Sequence, residues 1–217
     1  MLAEAVRLIA DELGYYVEQN RHPDDLIQAD WVILNNIANH DNSGGAGASN
    51  LDDKIIITTV NVEEESTLKN KRAVFRNAVG GVDYLNPPVH INLYLLFCAT
   101  VKEGGNTSDN YEMALFRLSL IIQFFQSKKL FTVKNSPYSK ISKDDTIEES
   151  VKEELRIIME LYTLTFEQIN HLWGSLGGKQ VPFVMYKARL VKIQHQITQE
   201  APLIEQIENN FETLADC

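Results

Sequence analysis

The stretch from Thr165 to Ile193 constrains the fold most, because it announces both ends of a helix and then a strand. Thr165 and Gln168 stand at capping-box spacing, where a hydroxyl and an amide satisfy backbone groups that the first helical turn leaves open. Phe166, Ile169, Asn170 and Trp173 then fall on one side at helical spacing. Gly177 or Gly178 supplies the left-handed stop, Pro182 forbids continuation, and residues 183 to 193 resume as a strand. No acid lies between Glu167 and Glu200, yet Lys179, Lys187, Arg189 and Lys192 do. In a chain with 20 basic and 30 acidic residues this local cationic run predicts a docking surface, not a catalytic one.

A length of 217 residues suits one domain, with or without appendages. Folding at that size buries roughly 70% of the unfolded chain's surface, enough for a core without covalent staples. Cys98 and Cys217 form neither a disulfide framework nor a zinc pattern, which fits a reducing compartment, and Cys98 is expected to be buried. Charges interrupt the N-terminus every few residues, so it lacks the apolar core of a secretory signal. No run reaches the ~18 apolar residues of a membrane span, so a soluble, cytoplasmically made chain is expected.

The net charge of −10 opposes binding to phosphate backbones, so nucleic acid is not expected as a partner. The charge is uneven. Residues 144 to 154 hold Asp144, Asp145, Glu148, Glu149, Glu153 and Glu154, whereas residues 66 to 82 hold no acid and carry Lys69, Lys71, Arg72 and Arg76. Two readings stay open here: solvated loops of either sign, or faces that meet complementary surfaces in an assembly.

Leu2, Val6, Ile9, Leu13 and Tyr16 repeat at helical spacing and predict a helix over 2–20, ended by His22-Pro23. Short strands are expected over 31–37 and 130–133. Stronger ones are expected over the β-branched run 54–62, the alternating run 89–97 and the run 155–161. Residues 42–50 read as a loop, 66–86 as a long basic connection, and 134–150 as a polar stretch without pattern. A second long helix spans 111–126, with Leu115, Leu118, Ile122 and Phe125 as its apolar stripe. Residues 196–217 form a C-terminal helical tail beyond a domain of residues 1–195. Leu203, Ile207, Phe211 and Leu214 line one side of that tail, which docks either on its own domain or on a neighbouring subunit. The fold class is α/β (α+β): a largely antiparallel or mixed sheet covered by helices.

Motifs for chemistry are weak. Gly174-Ser-Leu-Gly-Gly-Lys179 has its glycines at the end of a helix, the reverse of a phosphate loop, and Gln180 stands where a hydroxyl is needed. None of the five histidines has ligand spacing. Glu63-Glu64-Glu65 with His90 or His171 offers the one arrangement for acid–base hydrolysis. Asn61 and Glu63 share a strand face and suggest instead a polar edge that contacts another chain. No residue is assigned a catalytic, cofactor-binding or metal-binding role.

Five segments together carry a resemblance. They are Met1–Leu13, Ile57–Glu65, Asn86–Phe97, Ala114–Phe125, and Leu164–Gly177 with Pro182–Leu190. In this order they resemble the N-terminal domain of the tail-terminator, or cap, proteins of extracellular contractile injection systems of the virulence-cassette and antifeeding-prophage type. The resemblance implies a phage tail-terminator-like fold and a homo-hexameric ring. It also implies a place at the end of inner tube and sheath remote from the baseplate, where polymerisation stops. It implies assembly in the cytoplasm into a phage tail-like particle, without direct membrane insertion. An adaptor elsewhere in the particle, such as the baseplate, is the alternative. Lys69, Lys71, Arg72, Arg76, Lys187, Arg189, Asn61 and Glu63 are the candidate interface residues.

Overall fold

A computed structural model describes residues 1–23, 30–40, 51–68, 74–76, 82–85, 88–101, 107–177, 180–193 and 198–201. Helix α1 (Leu2–Asn20) buries Val6, Ile9 and Leu13, as its spacing predicts, and Ala5, Leu8 and Val17 beside them. It leads to β1 (Val32–Leu34), β2 (Ile55–Glu64) and, after a short pair β3 (Val74–Arg76) and β4 (Val82–Leu85), to β5 (Val89–Ala99). Helix α2 (Thr107–Ser127), β6 (Leu130–Thr132), the short α3 (Glu149–Glu154) and β7 (Arg156–Leu161) follow. Helix α4 (Phe166–Ser175), β8 (Phe183–Ile193) and β9 (Thr198–Ala201) complete the described chain.

Six strands form one sheet in the order β1-β2-β5-β8-β7-β6. Only β1 and β2 run parallel in it; the other neighbours are antiparallel. The mixed, mostly antiparallel sheet with covering helices is the fold class the residue pattern predicts. Strand period 2 divides the core in two. Ile55, Ile57, Leu93, Leu95, Phe97, Tyr186 and Ala188 face α1 and α2, while Ile56, Leu96, Cys98 and Met185 face Trp173 of α4. Phe97, Phe125 and Tyr186 interlock, with Phe125 and Tyr186 ring centroids 4.4 Å apart. Cys98 is buried, and burial pushes its thiol well above the usual range.

Several expectations need correction. Half of the stripe predicted for α2 faces out: Leu115 and Ile122 are exposed, whereas Phe125 is buried, Leu118 packs against the core, and Ala114, Leu120, Ile121 and Phe124 join them. The helix carries apolar residues on two adjacent faces, so periodicity alone does not choose between them, and Arg117 interrupts the face that is buried. Phe166, placed on the inner side of α4 beside Trp173, is 88% exposed while Trp173 is buried.

The connection 66–86 is not a continuous loop. β3, β4 and β9 form a second, three-stranded antiparallel sheet, whose strands are too short for a clear alternation. Residues 133–147 are ordered without local periodicity, because α1 holds them. Glu12 accepts from Tyr138 N at 2.8 Å and Lys128 Nζ at 2.9 Å, and Asp11 accepts from Lys140 N at 2.8 Å. The predicted loop 42–50 lies outside the described residues, as does most of the predicted helical tail 196–217, but Thr198–Ala201 of that tail is not helical: it is strand β9, paired with β4.

Candidate functional site

Two β-bulges shape one face of the large sheet. The register of β2 against β5 shifts between Thr59 and Asn61, so Ile55 and Ile57 before the shift share a side with Val62 after it. Asn61 and Glu63 are thereby turned to the opposite side, the face that carries Tyr94 and Lys187. A second shift, between Ile91 and Leu93 of β5, adds one residue to β8 beside Arg189. Extra residues at bulges re-aim side chains, and here they gather polar groups from four strands beyond the area that α4 covers.

Tyr94 is the centre of this surface. Its hydroxyl donates to Glu63 Oε2 at 2.6 Å, and the hydrogen bond to that carboxylate raises the phenol above its ordinary range. Lys187 Nζ lies 3.8 Å from Glu63 Oε2 and 5.3 Å from the centre of the Tyr94 ring. Arg189 donates from Nη1 to Glu160 Oε1 at 3.0 Å and sets Nη2 3.7 Å from Glu65 Oε2. Glu65 in turn accepts from Asn92 Nδ2 at 2.9 Å and from Thr67 Oγ1 at 2.9 Å. The hydrogen bond from Asn92 is the main reason its carboxyl is held down at about 2, with Thr67 and the charge of Arg189 adding to it.

The cationic run read from β8 is therefore not a cationic surface. Lys187 and Arg189 are matched within the chain by Glu63, Glu65 and Glu160, which come from segments far away in sequence. The physical cause is sheet topology: β5 sits between β2 and β8, and β7 flanks β8 on the other side. Exposed pairs of this kind contribute about 0–1 kcal/mol each, so they orient side chains more than they hold the fold.

Of the remaining candidates, Asn61 is exposed, and its Oδ1 accepts from Val62 N at 2.9 Å. Arg76 lies on β3 of the small sheet, opposite Val82. Lys69, Lys71 and Arg72 lie outside the described residues. Sequence reasoning missed Tyr94, Asn92, Glu65 and Glu160 as members of this surface. A usable signal was present: Asn92 and Tyr94 interrupt the apolar run of β5.

Of the acid–base arrangement, His90 lies beside Glu65, whose N donates to the His90 carbonyl at 2.8 Å, but both carboxylates already have other partners. Glu63 is engaged by Tyr94 and Lys187, and Glu65 stays ionised far below neutrality. His171 stands on α4, 81% exposed, beside Glu167. A groove of about 430 Å³ beside β2 is lined by Leu2, Val6, Leu34, Thr58 and Val62 and contains no ionisable side chain. Among the described residues no group of three His, Cys, Asp or Glu side chains has metal-binding geometry, and no helix is long and apolar enough to cross a membrane.

No curated protein sequence matches the chain. The fold is similar to a structure described as the sheath/tube terminator of an extracellular contractile injection system, PVC, in the extended state. The TM-score is 0.50 at 12% identity, over 99% of this chain and 64% of the other, so the chain spans just under two thirds of that protein's length. A second similarity is to the tube-terminating cap of the anti-feeding prophage, with TM-score 0.45, 10% identity, and 94% and 60% of the two chains covered. Residues 7–206 match the family described as the Pvc16 N-terminal domain, which takes in both sheets, and the chain belongs to that family.

Proposed function

We propose that this chain is a structural terminator. It caps the inner tube and sheath of a contractile injection system at the end remote from the baseplate and performs no catalysis. One observation carries this reading: the Pvc16 N-terminal domain family covers residues 7–206, nearly the whole chain. The fold shared with a sheath/tube terminator over 99% of the chain accords with it.

A terminator needs one surface that fits the last polymer layer and another that no incoming subunit fits. It also needs lateral contacts that close, which for identical copies are heterologous. We place six copies in that ring. At −10 each they carry −60, so closure requires that opposite charges meet across subunit boundaries. The bulged face supplies both signs side by side in Glu63, Lys187, Arg189 and Glu160. Together with Asn61 and the basic segment containing Lys69, Lys71, Arg72 and Arg76, it forms the contact surface of this reading.

The test is imaging of particles assembled with and without this protein. Tubes and sheaths of uncontrolled length in its absence are the expected result. Particles of unchanged length with unaltered distal ends would refute the cap.

A further inference from the structure

The six-stranded sheet is notched at both edges. β1 covers only Ile55–Ile57 of the ten residues of β2, and β6 covers only Arg156–Ile158 of β7. Among the described residues no further strand lies along the outer side of either. Past β1, Thr59 and Asn61 to Glu64 are exposed, and past β6 so are Glu160 and Leu161. A bare strand edge is a template for pairing with another chain. Each notch opens on an apolar groove of about 430 Å³, on the side of the sheet that carries α1 and α2. Leu2, Leu34 and Val62 line the groove beside β2, and Ile122, Leu161 and Tyr186 line the one beside β7. Leu34 is 39%, Val62 50% and Leu161 58% exposed.

The two edges match each other in direction, in apolar surface and in charge. β2 is antiparallel to β5, β5 to β8 and β8 to β7, so β2 and β7 run in opposite senses. A second copy set beside the first, with the same face up, therefore brings its β7 antiparallel to the bare half of β2. In that arrangement β2 runs head to tail toward the neighbour's β6, and β1 points at the end of the neighbour's β7. The first junction brings the Glu63-Glu64 end of β2 to Lys129, which is exposed and immediately precedes β6. The second brings Leu34 to Leu161. On the other face Glu63 nears the neighbour's Glu160, and each keeps its own base, Lys187 or Arg189, against the repulsion.

We infer that copies of this chain join edge to edge, the β2 edge of one against the β7 edge of the next. Leu161 then sits in the neighbour's groove beside Leu34 and Val62. The partner is a second molecule, because β5 and β8 hold β2 and β7 of one chain apart. Only Met159, Glu160 and Leu161 of β7 extend past β6, so the ladder is short and burial of the leucines and Val62 contributes most. The contact is heterologous and repeats around a closed ring. It rests on the self-assembly reading above and names the surfaces that join neighbours.

Disulfide trapping tests it on the full chain, both with purified protein and in assembled particles. With Cys217→Ser removing one thiol and Cys98 buried, one chain carries Val62→Cys and a longer, tagged chain carries Leu161→Cys. Mild oxidation is expected to give the mixed dimer and, from a chain with both cysteines, a ladder of oligomers. Leu161→Glu should weaken self-association about tenfold or more, since it sets a charge in the apolar groove. Lys129→Glu should weaken it too, and Glu64→Lys in the same chain should restore it. No mixed disulfide in either preparation, or Val62→Cys homodimers that form as fast, would overturn the edge contact. Imaging separates this from the capping reading. Capped particles without the mixed disulfide defeat the edge contact alone, whereas the mixed disulfide with bare tube ends upholds the contact and defeats the cap. Thermal melting checks that each variant is folded, as expected for substitutions at exposed positions.

Discussion

Arg117, fully buried in α2, places Nη2 2.7 Å from Oδ1 of Asp53, in the turn that starts β2. Its Nη1 donates to the Thr100 carbonyl at 3.3 Å, and its guanidinium stands 5.6 Å from the Trp31 ring centre. Thr100 Oγ1 in turn donates to the Leu51 carbonyl at 2.6 Å. One side chain thus ties α2 to the turn before β2 and to the end of β5. Removing one partner of a buried pair is strongly destabilising because the other charge is left behind. Asp53 is partly exposed, so Arg117→Ala is expected to lose about 3 kcal/mol, toward the low end of that range. Urea unfolding of the two proteins measures it.

Asp53 also has φ of 61°, in the left-handed region. Asn tolerates that conformation where Ala does not. Asp53→Asn should therefore lose less stability than Asp53→Ala, by about 1 kcal/mol. The order of the two melting midpoints checks this, and the reverse order would contradict it.

Glu12 holds the segment after β6 by accepting from Tyr138 N and Lys128 Nζ. Glu12→Ala leaves both donors without that acceptor and is expected to cost about 2–3 kcal/mol. Hydrogen exchange should quicken over residues 133–147 more than in β5 or β8. Uniform acceleration throughout the chain would show that Glu12 has no local role.

Glu65 gives the pH dependence a sign. Its folded carboxyl lies at about 2 against an ordinary 4.5, so the unfolded chain binds the proton first as the pH falls. The stabilisation is complete above 4.5 and disappears between 4.5 and about 2. Glu65→Gln should therefore flatten the fall in melting temperature across that window and leave the neutral-to-basic slope as it was. Parallel acid limbs for the two proteins would show that the Asn92 and Thr67 hydrogen bonds do not couple to folding.

Helix α4 offers an internal control. Gln168 N donates to Thr165 Oγ1 at 3.3 Å, and Thr165 N donates to Gln168 Oε1 at 2.9 Å, so both halves of the box are present. Thr165→Ala should lose about 1 kcal/mol. Phe166→Ser, one residue later but 88% exposed, should stay within about 0.5 kcal/mol of the parent. Equal losses at the two positions would mean that Phe166 is covered in the protein as assembled.

Lys187→Glu with Arg189→Glu sets five acids on the bulged face in place of two bases and three acids. Because these pairs add little to the fold, the double variant should melt within about 2 kcal/mol of the parent. Ring formation and tube capping should be lost. A double variant that assembles and caps normally would remove this face from the contact surface.

Local order was legible where one chemistry dominates. Both ends of α4 follow from Thr165, Gln168 and Gly177, whose φ of 107° is open to glycine and strained for other residues. β2 and β5 declare themselves through β-branching and alternation, and the buried stripe of α1 is carried by three clear helical repeats. The stripe of α2 was only half right, with Phe125 buried and Leu118 against the core, because Leu115 and Ile122 are as apolar as the residues the core selects. At the candidate site Lys187 and Arg189 could be named from the chain, but their acids could not.

From its residues alone, helices α1, α2 and α4, the long strands, the mixed sheet class and the family resemblance could be read, since backbone propensity and apolar period act over neighbours a few residues apart. Tertiary structure decided which side of α2 is inside, how the strands order, and where each charge finds its opposite. Glu63 and Lys187 are 124 positions apart and meet only because β5 lies between their strands and a bulge turns Glu63 to the same face. Coulomb pairing depends on distance in space, which linear spacing does not encode once a sheet has been built.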